Sequence, residues 1–169
     1  MLQRVQTIFM TIAAIAMILM LFFPIWGKSQ DNPEVEQDEY EYAIMNAFEL
    51  RYELRSDTSD EVKLLGTQNT FLLSVGAIAA ALVMFFSITR YKNRMTQVKL
   101  NALFSLLTAA TLVGSYVYTS KANQLFDPNL VGSYLIGFYL PIVAMLNNFL
   151  ANRFIRKDEK LVRSADRIR

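Results

Sequence analysis

The chain contains no histidine and no cysteine among its 169 residues. Without imidazole it lacks the commonest general base, the usual haem and zinc ligand and the Ser-His pairing of most serine hydrolases. Without thiols it forms no disulfide, takes no lipoprotein-type acyl group and builds no thiolate metal site. Charge is absent from whole regions as well. The stretches 5–27, 64–89, 100–120 and 128–152 carry no Asp, Glu, Lys or Arg. An ionised group inside such a run would cost about 2.5–3.5 kcal/mol and would normally mark a proton or ion path, so a proton-coupled transporter built from one such chain is disfavoured.

What is present is apolar: 53% of the residues are hydrophobic. A bilayer core of roughly 30 Å needs about 20 helical residues, and each uncharged stretch meets that length. The runs hold only scattered Ser, Thr, Asn and Tyr rather than the polar face of a helix in a soluble protein. The first stretch exceeds a signal-peptide core of roughly 7–15 residues, and its end, Phe22-Phe23-Pro24-Ile25-Trp26, offers no small residues for cleavage. The expectation is an all-α membrane protein forming a single integral membrane domain over 1–169: a four-transmembrane-helix bundle with spans at about 7–26, 68–89, 100–118 and 130–150. A small β-containing extracytoplasmic insertion (27–67) separates helices 1 and 2, and the cytoplasmic tail (151–169) carries a C-terminal helix.

Basic residues set the orientation, because cytoplasmic flanks collect Lys and Arg. Arg4, the acid-free stretch Arg90, Lys92, Arg94 and Lys99, and the tail from Arg153 to Arg169 hold most of the 17 basic residues and share one side of a four-span chain. That side is assigned to the cytoplasm, which places both termini there. The segment 28–63 has eleven acids against four basic residues and faces outward.

Within the spans, Gly76-x-x-x-Ala80 and Ala77-x-x-x-Ala81 present small residues that let helices approach closely, for packing inside the bundle or in a dimer. Ser105, Thr108, Thr111 and Ser115 form a hydroxyl stripe, which either bonds neighbouring helices and its own carbonyls or lines a hydrated groove. Pro141 predicts a kink, and Asn147 and Asn148 read as packing or interface residues. In the outer segment, even positions from Tyr40 to Leu54 are mostly apolar and odd ones mostly charged, as in a half-buried strand. Fifteen residues exceed a usual strand, so a break near Asn46 and two strands are expected. Thr58-x-x-Glu61 fits a capping box that would start the helix of span two about two turns before the membrane. The tail places Phe154, Ile155, Leu161 and Val162 on one side of a helix among seven basic residues, suited to an anionic lipid surface.

Carboxylates cluster at Asp31, Glu34, Glu36, Asp38, Glu39 and Glu41 without the order of a calcium loop, and read as a solvated loop. The inner basic residues are accounted for by topology, so no nucleic-acid partner is expected.

Met1-Leu2-Gln3-Arg4-Val5-Gln6-Thr7 leading into span one, Tyr91-Lys92-Asn93-Arg94 followed by Gln97, and the tail from Ile155 to Arg169 together resemble the bacterial domain-of-unknown-function family 4293. The resemblance covers essentially the whole chain and implies a four-span inner-membrane protein; it brings no activity, ligand or catalytic residue to carry over, and no cofactor or metal is expected. Its recognisable stretches lie at the inner boundary and define a candidate cytoplasmic interaction face: Arg4, Arg94, Gln97, Arg156, Lys157, Asp158, Glu159, Arg163 and Arg167. Asp158 and Glu159 are placed to pair with Arg4 or Arg94. The functional expectation is a non-enzymatic accessory or scaffolding subunit in contact with membrane lipids and a protein partner at that face. The alternative is small-molecule or lipid binding or transport as an oligomer. A third reading, an enzyme using the outer carboxylates, requires two of them to converge.

Overall fold

The computed structural model describes residues 2–31, 39–56, 62–91, 93–124 and 132–166. Four helices, α1 (Leu2–Leu19), α2 (Phe71–Thr89), α3 (Arg94–Asn123) and α4 (Ile136–Asp166), combine with five strands: β1 (Trp26–Asp31), β2 (Glu39–Met45), β3 (Glu49–Ser56), β4 (Val62–Asn69) and β5 (Ser133–Tyr134). The strands form one antiparallel sheet in the order β4-β3-β2-β1-β5.

This overturns the all-α reading and its bundle of four spans. Among the described residues two helices, α2 and α3, are long and apolar enough to cross a membrane. The physical reason is that a run without charge need not be one helix. The first run leaves the helix after Leu19, turns at Phe22 and Phe23, and enters β1 at Trp26, which shortens the apolar part of α1 to Val5–Leu19. The second run begins inside β4. The fourth contains β5, and its helix meets Asn147, Asn148 and Asn152 before Arg153. The sheet therefore draws on three of the runs, taking Trp26, Gln68, Asn69, Ser133 and Tyr134 from stretches expected to lie in spans.

The expected break near Asn46 is present, and β2 and β3 pair across it. The buried positions differ from a simple even-numbered set. Because Met45 opposes Leu50 and Ala43 opposes Tyr52, one face takes odd residues from β2 and even residues from β3. Ala43, Met45 and Leu50 are buried, whereas Tyr42 lies on the other face with the Arg55 guanidinium 4.3 Å from its ring centroid. The capping residues Thr58 and Glu61 lie outside the described residues, and the stretch expected to extend span two is the exposed edge strand β4. α2 begins instead after Thr70, whose N–H donates to Phe48 O and whose hydroxyl donates to Asn46 O, while Asn69 Oδ1 accepts from Phe71 N at 2.7 Å. α3 starts at an N-cap, Asn93, whose side chain accepts from Thr96 N at 3.2 Å.

The tail is not a separate helix. α4 runs unbroken through Pro141 for 31 residues, about 46 Å at 1.5 Å per residue. Helix contacts order the two ends of the molecule. Phe9 of α1 stacks on Phe154 of α4 with centroids 5.5 Å apart, which places the start of α1 and the end of α4 beside the α2–α3 connection. At the opposite end the buried Lys28 of β1 donates to Asn123 O at 3.3 Å, setting a cation at the C-terminus of α3, where the helix dipole favours it.

The helices bury small and polar side chains beside a few large ones, Met10, Met17, Leu73, Met84, Phe104 and Ile155, and expose many large apolar ones. α2 buries Ser74, Ala77, Ala80 and Ser87 while Leu72, Leu82, Phe85 and Phe86 are more than half exposed. α3 buries Gln97, Asn101, Thr108, Thr111, Ser115 and Thr119. Gly76 explains the fit of α2 on α3: a Cβ there would lie 2.5 Å from Thr111 Oγ1, so the small-residue face is used within the molecule.

Candidate functional site

The end of the molecule opposite the sheet brings α3 and α4 together twice, once by charge and once by buried amides. Arg94, in the first turn of α3, pairs with Asp158 of α4, Nη2 to Oδ2 2.7 Å, with both side chains partly buried. This is one of the pairings expected from shared depth. Arg156 and Lys157 are exposed on α4, and Glu159 is half-buried. Gln97, by contrast, turns inward at 1% exposure and donates from Nε2 to Met10 Sδ of α1, so it contributes no surface. Arg4 and Arg163 lie within α1 and α4 with side chains that are not described, and Arg167 lies outside the described residues.

Beneath the ion pair is a polar network that the sequence analysis did not assemble. Ser87 Oγ of α2 donates to Asn101 Oδ1 at 2.6 Å, and Asn101 Nδ2 donates to Asn152 Oδ1 at 2.9 Å. Asn148 Nδ2 donates to Asn101 O at 2.9 Å and to Ser105 Oγ at 2.7 Å. The available signal was a pair of amides four residues apart in each of two helices, Gln97 with Asn101 and Asn148 with Asn152, each close to a basic boundary. Below it the hydroxyl stripe of α3 is spent along its own helix: Thr111, Ser115 and Thr119 each donate to the carbonyl one turn back. The Thr108 hydroxyl has no hydrogen-bond partner among the described residues.

This end also carries an open hollow of about 450 Å³ on α4, lined by Phe149, Asn152, Arg153, Arg156, Lys157 and Lys160. These residues follow the i, i+3, i+4 spacing of one helix face. A smaller hollow of about 270 Å³ lies at the sheet, against Gly27, Tyr42 and Leu135.

Among the described residues no three carboxylates gather into a group that could hold a metal ion. Glu49 and Glu53 of β3 pair with Arg51 and Arg55, and Glu34, Glu36 and Asp38 lie outside the described residues.

A family model described as domain of unknown function (DUF4293) matches residues 2–168. The chain belongs to this family. No curated protein matches it. For this DUF4293 member the family therefore assigns no residue a role, and the functional argument rests on the chain's own geometry.

Proposed function

We propose that the chain is a multi-pass protein of the bacterial inner membrane, with both termini in the cytoplasm, that acts as a non-enzymatic accessory or scaffolding subunit. The membrane placement is supported by the inverted burial of the helices. Burying many small and polar groups while leaving most Leu, Ile and Phe of the helices outside is unfavourable in water but suited to lipid, where close backbone approach and hydrogen bonds hold helices together. The orientation is supported by the basic residues at the end that carries the α2–α3 connection and the end of α4.

One observation carries the subunit reading: α4 continues past the apolar part of the molecule as a basic arm fastened to α3 by the Arg94–Asp158 pair. Such an arm offers a partner a preformed surface, with little ordering cost on binding. In-cell crosslinking followed by mild-detergent purification tests the reading. The full chain is expected to retain one stoichiometric protein crosslinked through α4 or the α2–α3 connection. A variant lacking 156–169 is expected to lose that protein while remaining in the membrane. Recovery of the chain with only itself and lipid would overturn the subunit reading.

A further inference from the structure

We propose that the hollow on α4 is a binding site for the phosphate-bearing headgroup of an anionic membrane lipid. Four of its six lining residues are cationic, Arg153, Arg156, Lys157 and Lys160, and all four are exposed. None of them has an ion pair among the described residues. Their one close acid in sequence with a resolved partner, Asp158, is committed to Arg94. Among the described residues the four cations facing the hollow therefore form no ion pair, and two guanidinium groups suit the geometry of phosphate oxygens.

Asn152 adds a neutral donor. Its carbonyl oxygen accepts from Asn101 Nδ2, which orients the amide and leaves its NH2 group to the lining. That bond also ties the hollow to the buried network joining α2, α3 and α4, so its floor is fixed rather than improvised. The polarity of the hollow runs along the helix: Phe149, 67% exposed, stands at the end toward the apolar stretch and Lys160 at the end away from it. A soluble phosphate would use only the basic part. An amphiphile with an acyl chain against Phe149 and a phosphate among the four cations uses all of it, and this gradient is what commits the site to a lipid. The assignment rests on the membrane placement proposed above and is independent of any protein partner.

The test uses the full chain purified in mild detergent and exposed to equal amounts of phosphatidylglycerol and phosphatidylcholine, with retained lipid counted by native mass spectrometry. Phosphatidylglycerol is expected to be retained in preference. Arg153→Gln combined with Arg156→Gln should lower that retention by about tenfold or more, since a hydrogen bond between charged groups, lost only inside the hollow, is worth roughly a tenfold change in affinity. Arg90→Gln combined with Lys99→Gln removes the same charge from the same end outside the hollow and should leave retention unchanged. Equal retention of the two lipids, equal loss in the two double variants, or displacement of the lipid by millimolar inorganic phosphate would each overturn the site. Release of the chain from membranes by alkaline carbonate would overturn the membrane placement and the site with it. Loss of lipid preference in a carbonate-resistant chain overturns the site alone.

Discussion

Asn101 connects three helices through a single residue: its side chain accepts from Ser87 of α2 and donates to Asn152 of α4, and its backbone carbonyl accepts from Asn148. Replacing it with Leu would strand the half-buried Asn152 carbonyl and leave the buried Ser87 hydroxyl only its 3.3 Å bond to Gln97 O, and leaving a buried donor or acceptor unmet costs about 1–3 kcal/mol. Thr108 is the contrasting position, buried with a hydroxyl that has no partner among the described residues. Thr108→Val removes that group at nearly constant shape and should be neutral or stabilising, within about 1 kcal/mol. Unfolding of the two variants in detergent, followed by circular dichroism, should therefore separate them by more than about 1 kcal/mol. Equal stabilities would mean that the network contributes little.

The elements are held in different ways. α2 meets α3 through Gly76, so Gly76→Ala should destabilise the pair by about 1–3 kcal/mol despite the better helix propensity of Ala, because the new methyl would displace the Thr111 hydroxyl from Leu107 O. Adding Thr111→Ala should recover part of the loss, and a double-mutant cycle with no coupling would refute the contact. Two phenols of the sheet favour their protonated form. Burial pushes the Tyr52 hydroxyl, and that of Tyr134, above the usual value of 10.0. In the window between the unfolded and folded values the unfolded chain has already released the proton, so it binds fewer protons and folding weakens as pH rises. The contribution is complete below pH 10 and lost above it. Tyr52→Phe should flatten that alkaline decline, as followed by tyrosinate absorbance alongside unfolding.

At the scale of the molecule, the sheet and the basic arm occupy opposite ends of the helices, which makes orientation directly measurable. Because the chain has no cysteine, single introduced thiols report without a background. In intact cells an impermeant maleimide is expected to label Ser29→Cys, on β1, and to label Lys157→Cys, on α4, only after permeabilisation. The reverse pattern would invert the proposed topology, and labelling of both in intact cells would remove it.

Composition and charge by themselves excluded imidazole and thiol chemistry, marked the apolar helices, and placed the basic end, because these follow from residue type and spacing alone. Shared depth allowed Asp158 or Glu159 to pair with Arg4 or Arg94, and the structure holds one of those pairs, Asp158 with Arg94, both a few residues beyond an apolar run. Only the tertiary structure decided where the helices stop and the sheet begins. An uncharged residue such as Trp26, Leu64 or Tyr134 is equally at home in a span or a strand, and its conformation is set by pairing with partners distant in the chain. It alone also decided that Gln97 points inward and that the helix face of Arg153, Arg156, Lys157 and Lys160 is left exposed, because facing depends on which helix packs against which.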